Sequence, residues 1–435
     1  MKISTQITTM LLALGMISQA SADPTVYLTG STAFRSTVFA SLANNGGPAA
    51  VGVFDAGTVT YATWGNSSAN GGSFMVFHGN VGGSGVFIDC AWSGSEAGIA
   101  SACNATLGNT DRNNNPITLA GSPETWVNAT NATLSAAGIV TATAPTAGQL
   151  ETTTHGADLA QSDTSQAISW TPFVASTPTA LKDYGVEGIC TFTITRNVQT
   201  TASNEWLHCS NVTLPQLNTL FANGAVPAGF ISGNPSDNDF VVYLVGRNLG
   251  SGTRMNMLGD STYGAHRGVQ QFSIGLGVEE TPQVNSLVLT NEANNGYEGG
   301  SGVAKALAIT GSCQQADPFN GGVGWFALGY LSPSDALNAS NFGGEPTNNW
   351  VAVDGFLSSN GAIENGQWWY WGHEHLLGKF QISGTQDTVG TKIFAGVQKT
   401  LQNLNLGADP NGHDAAIQNS LMNVTKSSDT AFPAF

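Results

Sequence analysis

Two widely separated stretches of this 435-residue chain share one pattern, and it constrains the fold more than anything else in the sequence. Each is an apolar run, then a turn of small residues, then a helix start. The first goes from Val26-Tyr27-Leu28 through Thr29-Gly30-Ser31-Thr32 into the helix-like stretch Ala33 to Leu42. The second is the strongly apolar Phe240 to Val245, then Gly250-Ser251-Gly252-Thr253, then Arg254 to Leu258. A strand feeding a helix through a tight turn is a building unit of α/β folds. Two such units in a chain too long for one hydrophobic core predict an α/β protein of two lobes, each presenting a helix N-terminus. The expected boundaries are 23–188 with 332–435 for the first lobe and 189–331 for the second, joined by two crossovers.

Residues 1–22 read as an export signal. Lys2 gives the positive start, Met10 to Ile17 a short apolar stretch, and Ala20-Ser21-Ala22 a small-residue cleavage site. The apolar stretch is shorter than the roughly 20 residues of a membrane helix, and no later segment approaches that length. No lipoprotein cysteine follows, so a free periplasmic or secreted monomer without membrane insertion is expected. Between residues 104 and 154 the composition shifts to Asn, Thr, Ala, Gly and Pro, which reads as a polar insertion of loops and weak strands. Asn211 to Phe221 has a Thr cap with Leu214, Leu217, Leu220 and Phe221 at helical spacing, which predicts an amphipathic helix.

The five cysteines of an exported chain include two close pairs, Cys90/Cys103 and Cys190/Cys209, which are the expected disulfides. Connectivity stays open in principle, and Cys313 is left over as a buried small side chain.

The formal net charge is −16. That sign excludes nucleic acid and anionic membrane surfaces, which are held mainly by Lys and Arg. It also requires that any bound anion be attracted by a local set of donors, since the long-range field repels it. Such a set is present on paper. Arg247 ends the apolar 240–245 run, four residues before Ser251-Gly252-Thr253. Glycine lets backbone approach a ligand, the hydroxyls add donors, and the free amides of a helix start favour an anion. A guanidinium beside them adds full charge and a two-pronged geometry suited to a tetrahedral oxyanion. Alone, the tetrapeptide reads first as an ordinary turn. It is not a nucleotide P-loop, because no Lys follows the final Gly.

Several pieces recur in one order: Thr29-Gly30-Ser31-Thr32-Ala33-Phe34, Gly94-Ser95-Glu96-Ala97-Gly98-Ile99, Asp158-Leu159-Ala160-Gln161-Ser162-Asp163, and Arg247 to Thr253. With Leu214 to Gly224, Gly321 to Leu331 and Asn365 to Tyr370, this order resembles the phosphate-binding proteins of ABC importers, within the type II periplasmic binding-protein superfamily. The resemblance covers most of residues 25–380. It implies a hinge and a central anion cleft, inorganic phosphate or a related oxyanion as ligand, and an ABC permease as partner. It places the first anion-binding turn on Ser31, Thr32 and Ala33, the second on Ser95, and the acceptor carboxylate on Asp163, opposed by Arg247, Ser251, Gly252 and Thr253. Phosphate near neutral pH keeps a proton that a buried carboxylate can accept as a hydrogen bond, whereas sulfate has none to offer. Asp163 could instead cap the turn before Thr164. One departure is Leu249, where many members of the family carry a second acid; this keeps other oxyanions open.

Other candidates favour structural roles. His373-Glu374-His375 puts two imidazoles on one strand face, but the sequence offers no third ligand and no HExxH spacing, so no metal and no cofactor are expected. Trp368, Trp369, Tyr370 and Trp371 would alternate between the faces of a strand and read as core. Gly259-Asp260-Ser261-Thr262-Tyr263-Gly264 misses the nucleophile-elbow spacing by one residue, and no Ser/His/acid set can be assigned, so binding without catalysis is expected. A secreted surface or matrix protein that keeps the scaffold without binding phosphate is the other class of function.

Overall fold

The computed structural model describes residues 23–43, 52–55, 57, 59–103, 108–110, 116–118, 124–170, 180–199, 201–275, 287–337, 349–431 and 433–434. Residues 1–22, where an export signal is expected, and parts of the 104–154 insertion lie outside them.

Hydrogen bonding sorts the strands into a nine-stranded and a four-stranded sheet, with three small two-stranded ribbons. The large sheet runs in the spatial order Ala416–Ile417, Lys182–Thr191, Trp371–Gly378, Leu159–Ser162, Thr25–Gly30, Ser84–Ala91, Phe74–Val81, Thr60–Trp64, Ile139–Thr141. Thr25–Gly30 lies at its centre and pairs in parallel with both Ser84–Ala91 and Leu159–Ser162. The chain therefore leaves the central strand to one side, returns, and crosses to the other. The two helices of this path lie on opposite faces. Arg35–Leu42 packs Val38 and Leu42 against Ile393, Val397 and Leu401 of the long Gly384–Asn403 helix. Ser95–Ala102 packs Ile99 and Ala102 on Ala160 and Leu377 across the sheet. An open α/β sheet with its helices split this way leaves a crevice at the carboxyl ends of its parallel strands, where the order reverses.

The four-stranded sheet has the order Thr193–Arg196, Gly324–Leu331, Phe240–Val245, Ala225–Pro227. The Phe240–Val245 strand expected from its apolar run is buried along its whole length. Its alternate residues face two cores: Phe240, Val242 and Leu244 one way, Val241, Tyr243 and Val245 the other. That is why the strand shows no polar alternation in sequence. The amphipathic helix is also present, as Leu214–Asn223, with Leu217, Leu220 and Phe221 buried. Thr213 and Gln216 form its capping box, and Gly224 closes it in the left-handed conformation at φ 72°.

The chain passes from large to small sheet through Phe192 alone. Thr191 pairs with Trp371, and Thr193 with Leu331. The aromatic run Trp368, Trp369, Tyr370 and Trp371 is buried throughout, and it joins side chains of both sheets into one continuous core. Within 104–154 the described residues form only three-residue strands and single 3-10 turns. No helix of the described residues is long and apolar enough to cross a membrane.

The expected disulfides are absent: Cys90, Cys103, Cys190, Cys209 and Cys313 are all free thiols. Closeness in sequence misled because the pairs are separated by the fold. Cys90 faces the core that holds Arg35–Leu42, whereas Cys103 ends the Ser95–Ala102 helix and packs with Ile99 and Ala160. A sheet lies between them. Cys190 sits in the large sheet opposite Gly372 and Ala416, while the Cys209 thiol turns to the Ala228 carbonyl at 3.5 Å.

The C-terminal segment straps the two sheets together. Lys426 is fully buried and donates to Asp260 at 2.7 Å, at the end of the Gly252–Asp260 helix, and to the Trp371 carbonyl. Removing one partner of such a pair strands the other charge. We expect Lys426→Ala to lower unfolding free energy in urea by about 3–5 kcal/mol, and Lys426→Met with Asp260→Leu to lose less.

Candidate functional site

The turns after three adjacent parallel strands of the large sheet face the segment from Arg247 to Thr253. Ser31 and Thr32 follow the central strand, Gly94 and Ser95 follow Ser84–Ala91, and Asp163 follows Leu159–Ser162. From the small sheet, Arg247 and Ser251-Gly252-Thr253 follow Phe240–Val245. Ser31, Ser95, Asp163, Arg247, Ser251 and Thr253 are each at most 2% exposed, so the site is shut from solvent.

Asp163 is where the halves meet. Its Oδ1 accepts from Ser95 Oγ at 2.6 Å, and its Oδ2 from Thr253 Oγ1 at 3.3 Å. Its backbone NH donates to Ser95 Oγ at 3.3 Å, and its carbonyl accepts from Asn256 Nδ2 at 2.8 Å. The turn-capping role that rivalled this one belongs to the preceding residue: Thr164 N donates to Ser162 Oγ at 3.1 Å. The Asp163 carboxylate is therefore left to the interior. Glycine at 252 is required here, because a Cβ would fall 1.6 Å from Asp163 Oδ1. Gly94, at φ 101°, lets Gly250 O approach so that Glu96 N can donate to it at 3.0 Å.

Arg247 lies across the same seam. It donates through Nε to Tyr297 O at 3.3 Å, through Nη2 to Glu298 O at 2.7 Å, and through Nη2 to Thr32 Oγ1 at 3.3 Å. Every one of these acceptors is a neutral oxygen. The carbonyl of Arg247 is held in turn by Arg254 Nη1 at 3.2 Å and Gln271 Nε2 at 2.9 Å. Leu249, at the position of the missing acid, packs instead with Ala100, Trp170 and Met255. Two candidate hydroxyls also serve as acceptors, a role that leaves their O–H protons able to donate: Ser251 Oγ caps the helix by accepting from Arg254 N, and Ser31 Oγ accepts from Phe34 N. Ala33 turns its methyl into the core, leaving only its backbone toward the turn.

The sequence reading missed a shell of buried acids around this seam. Burial pushes the Asp163 carboxyl up to about 6, against the opposing pull of Ser95, Arg247 and Thr253. Burial likewise raises Glu96 to about 7, although Trp170 N and Thr164 Oγ1 donate to it, both at 2.7 Å. Glu124 is raised to about 8 by burial, with Ser93 and Thr29 as counteracting donors. Burial also drives Glu374 well above the usual carboxylate range, and the charges of Asp163 and Glu187 add to that. No local pattern around Glu96 or Glu124 marks them as interior, since each depends on which face of its element the tertiary packing covers.

No protein-family model matches the sequence, and no curated protein matches it. Loose likenesses exist among solved structures. A protein of Clostridium perfringens, described as a phosphate ABC transporter substrate-binding protein with bound phosphate, is 13% identical, with 91% of this chain and 99% of that one covered, at TM-score 0.41. An ABC-type phosphate transport receptor of Vibrio cholerae is 12% identical over 91% and 99%, at TM-score 0.38. PstS of Borrelia burgdorferi is 10% identical over 85% and 92%, at TM-score 0.31.

The raised carboxyls have a signed consequence for stability. A carboxyl whose folded pKa lies above its unfolded value binds more protons when folded, so stability is greatest below the unfolded value and is lost as pH rises through the folded one. With Asp163 near 6, Glu96 near 7 and Glu124 near 8, unfolding free energy should fall between about pH 4 and pH 8. Denaturant titrations at pH 5 and pH 8 should show that fall, and Glu96→Gln should remove about 3 kcal/mol of it.

Proposed function

We propose that this chain is an extracytoplasmic solute-binding protein that closes two lobes, 23–188 with 332–435 and 189–331, on a small tetrahedral oxyanion, with inorganic phosphate first. The observation that carries the reading is the buried Arg247 guanidinium, which donates to neutral oxygens only, at the mouth of two helix starts. A buried guanidinium whose hydrogen bonds all end on neutral oxygens, with the Asp163 carboxyl as its nearby opposite charge, is under-compensated, and an anion placed there would add to that compensation. The Ser95 and Gly252 amides, the Ser95, Thr32 and Thr253 hydroxyls and Arg247 would replace the hydration shell of the anion. Asp163 would accept the proton that phosphate retains and sulfate lacks. The hydroxyls of Ser95, Thr32 and Thr253 and the Asp163 carboxylate are read as ligand-holding groups, so the proposal is binding without catalysis. Export, the phosphate ligand and delivery to an ABC permease belong to this proposal, as does the monomeric state.

Replacing Arg247 by Ala should weaken phosphate binding by roughly 2–5 kcal/mol in calorimetry, as expected when one member of a buried charge pair is removed. An unchanged affinity would remove the assignment.

A second reading has its own support. The hydroxyls of Ser95 and Thr253 already donate to Asp163, and Arg247 already donates to Thr32 Oγ1, so the seam is closed by its own groups. A secreted surface protein that keeps the closed scaffold without a ligand would look the same. Thermal melting with phosphate, sulfate, arsenate and molybdate separates the two, because a ligand bound only to the native state raises Tm by mass action. The binding reading expects phosphate to raise it most, and the scaffold reading expects no anion to move it.

A further inference from the structure

The strand Trp371–Gly378 carries His373 and His375, and the fold supplies the third group that the sequence could not reveal. Asp429, from the C-terminal segment, brings Oδ1 to 2.9 Å from His373 Nδ1 and 3.5 Å from His375 Nε2. One donor atom from each residue lies within 4.8 Å of the others. We propose that His373, His375 and Asp429 form a binding site for a divalent first-row transition cation, with Zn²⁺ the ion that suits the donors best.

Two imidazoles and a carboxylate are the donor set of such ions, and bonds of about 2.0–2.2 Å to one tetrahedral centre put neighbouring ligand atoms about 3.3–3.6 Å apart. His375 Nε2, at 3.5 Å from Asp429 Oδ1, already has that spacing, and His373 Nδ1, at 2.9 Å, needs only a small outward shift. The groups behind the trio are arranged as a metal needs them. Asp183 Oδ2 stands 3.3 Å from His375 Nδ1, the nitrogen that faces away from Asp429. A carboxylate at that distance favours the tautomer with the proton on Nδ1, which leaves the Nε2 lone pair for the ion. Asp429 Oδ2 accepts from Ser165 N at 2.8 Å, which fixes the carboxylate so that Oδ1 points at both rings. Lys426, whose charge reaches Asp429, is already engaged by Asp260. His375 and Asp429 are buried, whereas the His373 side chain is 18% exposed, so an ion could enter on that side and keep a water as its fourth ligand. A bound ion would clip the C-terminal segment to the large sheet.

The test uses the full-length chain, stripped with a chelator and titrated with ZnCl₂ by calorimetry and thermal melting, with Co²⁺ absorption reporting the ligand field. Wild type should bind one Zn²⁺ that both Asp429→Asn and His373→Ala lose, together with the rise in Tm. Asp183→Asn, which leaves all three ligands in place, should weaken Zn²⁺ about 10- to 100-fold. The proposal fails if wild type takes up no ion, which would make the trio a hydrogen-bonded network only. It also fails if the variants titrate like wild type, which would move the ion to outlying pairs such as His78 with Asp23. Asp429→Asn preserves shape, and His373 is the least buried ligand, so both variants should fold and keep the test decisive.

Discussion

A single carboxylate, Asp163, holds the two halves of this protein in register. It accepts from Ser95 on the large-sheet side and from Thr253 on the small-sheet side, with the Cα of Gly252 packed against it. Whatever separates the sheets must break those bonds and hydrate a group the fold keeps dry. The neighbouring links follow the same seam: Glu96 N to Gly250 O, Arg247 to Thr32, and Tyr370 OH to Thr253 O at 2.9 Å. The seam forms where the strand order of the large sheet reverses, and a site at such a point needs only loop residues to define its chemistry.

The electrostatics of the interior differ from those of the surface. The chain as a whole is acidic, yet Glu96, Glu124 and Glu374 beside the seam are held toward the neutral state by burial, so the field near Arg247 is less negative than the net charge suggests. This resolves the conflict between an acidic protein and an anion-binding proposal without any basic patch. It also means that the same groups that shape the site make the fold sensitive to alkaline conditions.

One strand serves several purposes at once. Trp371–Gly378 closes the large sheet against Leu159–Ser162 and Lys182–Thr191, sends Glu374 toward Ser31, and presents His373 and His375 on its other face to Asp429. Alternation along a strand is what separates the two chemistries by the thickness of a sheet. The C-terminal segment then fastens this strand to the Gly252–Asp260 helix through Lys426.

The sequence by itself determined the α/β class, the strand at Phe240–Val245, the helix at Leu214–Asn223, the buried aromatic run, and the turns on which Ser95, Asp163, Arg247 and Thr253 sit. These are local matters, since apolar period, capping residues and small-residue turns act within a few positions of one another. Only the tertiary structure decided what depends on facing across space. Ser162 rather than Asp163 caps its own turn, and Cys90 and Cys103 lie on opposite sides of a sheet. Glu96 and Glu124 are interior, and Asp429 reaches the two histidines from the far end of the chain. Spacing along a chain says which groups are near in sequence, but burial and pairing are set by packing between elements, and no local pattern encodes that.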